Sequence, residues 1–369
     1  MKTKIRILYV NGNIMKRGGI EAFMMNYFRH FDREKMHIDF IVHGYDKGVY
    51  DDEILTAGSK IYHVPTKSKH PIRYSQELKK IFSEGNYDIV HSHLDAMSGW
   101  VLKIAKECGI PVRIAHSHNT DHLTTNSLKR MINDFSKKEI RKYATVKFAC
   151  SVAAGKWLYG SEDFIVINNA IEIERFAFDN AKRNELREKY NLDECFVIGH
   201  VGRFDYQKNQ EFLIPVLKNV IEKRNNVKLV FVGTGDTQEN VQQLVEQNDL
   251  TNDVLFMGSR NDVNEFYNMF DVFVLPSRFE GLGIVAIEAQ TNGLHCLLSK
   301  CIPREAEISK GVSFLNINDE ADWVKHLLNE NGERVIWGEE AAITHGYDIK
   351  TEATKLENLY IKLVEQDGK

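Results

Sequence analysis

The run Val272-Phe273-Val274-Leu275-Pro276-Ser277-Arg278-Phe279-Glu280-Gly281-Leu282-Gly283-Ile284-Val285-Ala286-Ile287-Glu288-Ala289 holds the parts of a ligand-binding α/β unit in order. Val272–Leu275 is a short, β-branched apolar stretch stopped by Pro276, which reads as a buried strand. Gly281 and Gly283 punctuate the turn, and apolar residues resume near Ile284 as a helix. The unpaired N–H groups of a helix start form an anion site, and glycines let phosphate oxygens approach. Glu280 falls in the loop before the helix and Glu288 about one turn inside it, so the two carboxylates can reach different hydroxyls of one ligand. Taken singly, each also reads as a helix-start acid or a solvated helix glutamate.

Working outward, the strand–glycine–helix pattern recurs. Ahead of this run lie Phe196–Arg203, Val227–Gly233 and Val254–Gly258. A first series comprises Ile5–Val10, His37–Val42, Tyr87–His91, Val112–His116 and Lys147–Ser151, and Gly18-Gly19 precedes the first helical spacing (Ile20, Phe23, Met24, Tyr27, Phe28). Buried strands alternating with helices indicate parallel sheets covered on both faces. The polar stretch Asp179–Leu192 reads as the connection between the two series. The expected fold is therefore α/β, with two Rossmann-like, doubly wound domains facing across a cleft and ligand at the carboxyl ends of the strands. Residues 1–180 form the first domain, joined by a C-terminal helix at 346–369, and 181–345 form the second.

Composition narrows the function. Of 369 residues, 43% are apolar and 27% charged, as in a soluble globular chain with a real core. The five cysteines are scattered without a Cys-x-x-Cys pair, which excludes a zinc ribbon and disfavours a disulfide framework. No apolar run approaches the about 20 residues of a spanning helix, and the short run after Ile5 is too brief for a signal peptide, so a cytoplasmic protein is expected, at most peripheral to a membrane. Residues 1–180 carry 27 basic and 21 acidic side chains, a net of +6, which leaves −10 for the remainder. The basic half lacks interleaved aromatic residues, which disfavours nucleic acid as a partner. Neither Gly18-Gly19 nor Gly233-Thr234-Gly235 extends to a Walker pattern, and no Asp-x-Asp occurs, so P-loop ATPases and metal-dependent transferases of the other main fold are disfavoured.

A second chemical piece follows the first strand of the second domain. In Gly202-Arg203-Phe204-Asp205-Tyr206-Gln207-Lys208-Asn209, Arg203 and Lys208 bracket a turn, so both cations can aim at one diphosphate, or stand as surface charges. Together, in this order and spacing, these elements resemble glycosyltransferase family 4, retaining nucleotide-sugar transferases of GT-B architecture. Its E-x7-E element matches Glu280 and Glu288, its basic pair Arg203 and Lys208, and its amino-terminal glycine loop Gly18-Gly19-Ile20-Glu21. Cys150-Ser151 and Asn168-Asn169-Ala170-Ile171-Glu172 resemble the stretch leading into its interdomain link. Two departures are Gly293-Leu294-His295, where relatives usually have Gly-x-Pro, and Ala170, where they often have glycine.

The resemblance implies roles. Arg203 and Lys208 would neutralise the donor diphosphate and the charge growing on the leaving group, assisted by the backbone of Gly281, Leu282, Gly283 and Ile284. Glu280 would bind hydroxyls of the transferred sugar, and Glu288 those of the ribose. Ser259 and Arg260 would border the base, and Gly18 and Gly19 would let the first domain's loop approach the phosphates. The implied donor is a nucleotide-diphosphate sugar, UDP-linked by the frequency of such users among similar enzymes, and the implied acceptor is a saccharide or lipid-linked saccharide of capsule or exopolysaccharide biosynthesis. No cofactor or metal is implied.

His91 and His93 follow one strand, and His116 and His118 the next. His118 is the better match to the family's sugar-facing histidine, and His116 the other candidate. A zinc site from these four is conceivable by ligand count, but the family needs no metal. Rival readings are a GT-B-fold nucleotide-sugar epimerase and a non-catalytic nucleotide-sugar-binding partner of a transferase. Residues 123–147 hold Lys129, Arg130, Lys137, Lys138, Arg141, Lys142 and Lys147 among Leu128, Met131, Ile132, Phe135 and Ile140 at roughly helical spacing. This reads either as a basic amphipathic helix for an anionic membrane surface or as a helix burying its apolar stripe.

Overall fold

The computed structural model describes residues 4–122, 124 and 126–367. They form two compact units, one of residues up to Ala170 together with those from Ile349 onward, the other Ile171–Asp348. The division thus falls earlier than 180/181 because the linking residues bond to the second unit. The Phe176 carbonyl accepts from Asn292 Nδ2 (3.0 Å), and the Asp179 amide donates to Asn268 Oδ1 (2.9 Å). The stretch read as a polar connection is the helix Asn180–Lys189, capped by Asp179, whose carboxylate accepts from the amides of Ala181 and Lys182.

The first unit carries a parallel sheet of β1 (Ile5–Val10), β2 (Met36–His43), β3 (Ile61–Val64), β4 (Ile89–Ser92), β5 (Val112–Ser117), β6 (Val146–Ala149) and β7 (Ile165–Val166), in the order β3-β2-β1-β4-β5-β6-β7. Its core joins Ile7, Tyr9, Ile38 and Phe40 of the sheet to Phe23, Met24 and Tyr27 of the helix Gly19–His30. The last helix, Ile349–Asp367, closes that core with Ile349, Ala353, Leu356 and Tyr360.

The second unit repeats the winding with β8 (Phe196–Val201), β9 (Val227–Val232), β10 (Val254–Phe256), β11 (Val272–Leu275), β12 (His295–Ser299) and β13 (Val312–Leu315), ordered β10-β9-β8-β11-β12-β13. Trp323, fully buried, packs with Leu213, Leu217 and Val220 over the sheet. Strand order reverses at β1/β4 in one unit and at β8/β11 in the other, the doubly wound pattern with a switch point in each sheet. β3, β7, β12 and β13 go beyond the strands expected from the sequence. β3, β7 and β13 are short edge strands, and His295 and Ser299 break the apolar run of β12.

Candidate active site

At the β8/β11 switch point two loops leave the second sheet, residues 202–209 and 276–283. Their backbones are stitched together. The Arg278 amide donates to the Gln207 carbonyl (2.8 Å), and Asn209, itself in the left-handed region (φ 58°), donates from Nδ2 to the Pro276 carbonyl (3.1 Å). Glu280 sits where the loops meet and is only 5% exposed. Its Oε1 accepts from Lys208 Nζ (2.7 Å) and Ser277 Oγ (2.7 Å), and its Oε2 from Gln207 Nε2 (3.2 Å). A buried ion pair is tolerable only when its remaining lone pairs find donors, which Ser277 and Gln207 supply.

The helix Ile284–Thr291 begins immediately after this carboxylate. Gly283, the N-cap of this helix, takes φ 86°, which strains any residue with a Cβ, and has no side chain to cap the helix start. Leu282 is buried and packs rather than facing solvent. Glu288 is half-buried on that helix, with Tyr267 donating its hydroxyl to Oε2 at 2.6 Å. Burial raises its carboxyl to about 7, against the opposing pull of the Tyr267 hydrogen bond and the Lys208 and Arg175 charges.

Arg203 is exposed and turns to Asp205, with Nη2 at 2.7 Å from Oδ2. Asp205 also accepts the Lys208 amide through Oδ1 (3.0 Å), so one carboxylate holds the Arg203 guanidinium and the backbone of Lys208. Ser259 and Arg260 follow β10 at the sheet edge, and the Arg260 fork is engaged by Asp262 (2.9 and 2.7 Å). Gly233 and Gly235 are packing glycines. An added Cβ would stand 2.1 Å from the Gly202 carbonyl oxygen and 2.2 Å from that of Phe204, which is how the loops after β8 and β9 lie against each other.

In the first unit the site candidates lie at the carboxyl ends of β1, β4 and β5. Gly18 precedes the helix Gly19–His30, and a Cβ there would meet the Glu21 carboxylate at 2.5 Å, while one on Gly19 would meet none of the described residues within 4 Å. His91, His93, His116 and His118 all fall on one side of the sheet, at most 7% exposed. His91 Nε2 lies 3.0 Å from His116 Nδ1, and His93 Nδ1 lies 2.9 Å from His118 Nε2. Desolvation pushes all four well below the ordinary imidazole value, His118 to about 3, so they are neutral. One ring nitrogen from each of His91, His93 and His116 lies within 4.8 Å of the others, the spacing of a loose metal-ligand set.

Sequence reasoning missed Ser277, Gln207, Asp205 and Tyr267, which orient the candidate residues, and Asp95, whose buried carboxylate accepts the His118 amide and Asn119 Nδ2. Only Asp205 and Gln207 had a local signal, as polar residues between the two cations.

Residues 17–175 match the model for Glycosyltransferase Family 4, and residues 182–342 that for Glycosyl transferases group 1. The chain is 31% identical to the putative glycosyltransferase EpsF of Bacillus subtilis, over 98% of each chain. It is 26% identical to the Escherichia coli UDP-Gal:alpha-D-GlcNAc-diphosphoundecaprenol alpha-1,3-galactosyltransferase, again over 98% of each. Among solved structures, Anabaena HepE in complex with UDP and glucose superposes with a TM-score of 0.79 at 16% identity, covering 96% of this chain and 99% of that one. Sucrose-phosphate synthase from Thermosynechococcus elongatus gives 0.80 at 16% identity, covering 98% and 100%. These two share the fold. With both halves matched in order and the full length aligned to EpsF, the chain belongs to glycosyltransferase family 4, its two units being the Rossmann-like domains of the GT-B architecture.

Proposed function

We propose that this glycosyltransferase is a retaining, metal-independent enzyme that moves a sugar from a UDP-sugar to a saccharide or lipid-linked saccharide acceptor in capsular or exopolysaccharide synthesis. The observation that carries the reading is the group at the β8/β11 switch point, where Lys208, Ser277 and Glu280 converge beside a helix start with glycine at its N-cap. Lys208 and Arg203 supply the positive charge that a departing diphosphate needs, the task a divalent ion performs in metal-dependent transferases. Glu280, fixed by three donors, is oriented to accept from sugar hydroxyls, and Glu288 from those of the ribose. In this reading His118, at the edge of the first unit's histidine group, serves as a hydrogen-bonding residue for a sugar.

UDP as the nucleotide is favoured by the activity named for the E. coli relative and the UDP bound in HepE, and a polyprenyl-diphosphate-linked acceptor by the former. No helix of the described residues is long and apolar enough to cross a membrane. Access to such an acceptor would come from the helix Ser127–Tyr143, which carries Leu128, Met131, Ile132 and Phe135 exposed among lysines and arginines and suits an anionic lipid surface.

The test is UDP release from UDP-glucose, UDP-galactose and UDP-N-acetylglucosamine with and without saccharide acceptors, followed by the anomeric configuration of the product. Turnover is expected to require an acceptor, to retain configuration and to survive EDTA. Arg203→Ala and Lys208→Ala should each depress kcat strongly, with a double mutant less than additive because both act on one leaving group. Loss of activity in EDTA with rescue by Mn²⁺, or an altered sugar released without acceptor, overturns the proposal.

A further inference from the structure

Four imidazoles crowd the carboxyl edge of β4 and β5 as two hydrogen-bonded pairs laid on one another. The His91 and His116 rings are near coplanar (3°) across their 3.0 Å N···N contact. His93 lies against His91 with centroids 4.1 Å apart, and His118 against His116 at 4.0 Å. One nitrogen of each ring is spent within the pairs, and stacked rings do not point at one centre as a tetrahedral cage requires. The arrangement is a hydrogen-bonded lattice.

Its donors and acceptors can be followed atom by atom. A neutral imidazole has one N–H and one lone pair. Among the described residues His93 Nε2 is buried without a hydrogen-bond partner, and so is His116 Nε2. If His93 donates from Nδ1 to His118 Nε2, His118 keeps its own proton on Nδ1 and His93 buries a bare lone pair. If His118 donates from Nε2 instead, His93 must bury an N–H with no acceptor. An orphaned buried N–H is the rarer of the two in folded proteins. The first arrangement is therefore the one this packing selects.

We infer that His93 is a positioning residue that holds His118 in the Nδ1–H tautomer, so that His118 offers a hydrogen-bond donor to a sugar hydroxyl oxygen. The inference rests on the reading of His118 as the sugar-facing histidine. His118 Nε2 is committed to His93, which leaves Nδ1 as the nitrogen available to a ligand. Three further contacts hold the ring in place. Asp95 Oδ1 accepts the His118 amide, the Phe23 ring meets His118 edge-on at 5.4 Å, and His116 backs it in the stack. Behind the stack, Tyr360 of the last helix bonds His91 Nδ1 (2.7 Å) and Tyr9 (3.1 Å), which anchors the lattice to the core.

The experiment is long-range ¹H–¹⁵N correlation of the histidine side chains in the full chain at neutral pH, with His118 assigned by His118→Ala. His118 is expected to show a protonated Nδ1 and a bare Nε2, the reverse of the tautomer favoured by free histidine. In His93→Leu the His118 pattern should revert, with kcat for UDP-sugar turnover falling about three- to tenfold and UDP affinity unchanged. His93→Asn places an amide donor where Nδ1 stood and should restore both the pattern and the rate. A protonated Nε2 on His118 in the unaltered protein overturns the inference regardless of how any variant folds. So does a His118 pattern indifferent to His93→Leu. A wild-type rate in His118→Ala would instead remove the sugar-facing reading, and the tautomer measurement would still decide the pairing with His93.

Discussion

Glu280 and Glu288 are separated by one helix start, yet their surroundings divide their chemistry. Glu280 is held by one cation and two neutral donors, whereas Glu288 has a phenol and a desolvated pocket. Glu280→Gln should therefore leave UDP affinity nearly unchanged while lowering sugar transfer, and Glu288→Gln should weaken UDP itself by about 1.5–3 kcal/mol. Calorimetric titration of UDP into each variant checks the division, and equal losses would refute it. The pH dependence has a definite sign. Burial raises the Glu288 carboxyl to about 7, and on the proposed role its anion is the form that would accept from ribose hydroxyls. UDP affinity should thus rise with pH through that value and level off above it, and Glu288→Gln should flatten the profile. Lys208→Ala carries a second cost, because it strands the buried Glu280 carboxylate, and a stability loss of about 3–5 kcal/mol should appear in thermal unfolding.

The helix Ser127–Tyr143 shows how an element can be legible while its orientation is not. Its spacing allowed either a buried or a surface-facing apolar stripe. It packs through Ser136, Ile140 and Tyr143, and Gly99 of a neighbouring helix admits it so closely that a Cβ there would stand 2.4 Å from the Ser136 carbonyl oxygen. Leu128, Met131, Ile132 and Phe135 are left 61%, 62%, 47% and 65% exposed. Residues 123 and 125 of the segment lie outside the described residues. Cosedimentation with anionic vesicles should be salt-sensitive and should fall when Lys129, Lys138 and Lys142 are changed to glutamine, at about 1 kcal/mol for each. Phe135→Ser should lower it further by removing apolar contact. Equal binding to neutral and anionic vesicles would rule out an anionic surface as the partner of this helix.

At the scale of the whole chain, the two units should respond differently to acid. The first holds the half-buried His43 near 4 and buries His91, His93, His116 and His118, while the second buries His200, held near 3. Burial lowers each below the about 6.5 of the unfolded chain, so the folded state binds fewer protons. The stability is therefore fully present above that value and is lost as pH falls through it, at about 1.4 kcal/mol per unit for each group until its folded value is reached. Asp95 in the first unit, raised to about 6, offsets one of these, and Glu288 and the Glu330-paired His295 offset His200 in the second. Acidification toward pH about 5 should consequently unfold the first unit before the second. Fluorescence of single-tryptophan variants retaining Trp157 or Trp323 measures this, and coincident transitions would refute it.

The order of strands, glycine turns and helices was legible in the sequence because buried parallel strands are apolar throughout and their turns need glycine. By the same logic Glu280 and Glu288 could be placed before and within a helix from residue types alone, and the family resemblance followed from their spacing with Arg203 and Lys208. Only the tertiary structure decided that Ser277 and Gln207 hold Glu280, that Tyr267 holds Glu288, and that Gly233 and Gly235 serve packing. These contacts join residues on different strands and loops, and side-chain partners brought together by sheet order leave no local pattern. The same holds for the histidines. His-x-His after two strands was visible, but their pairing needed β4 and β5 to lie side by side, with His91 opposite Ile114 and His116 two residues further along, and Tyr360 to return from the end of the chain.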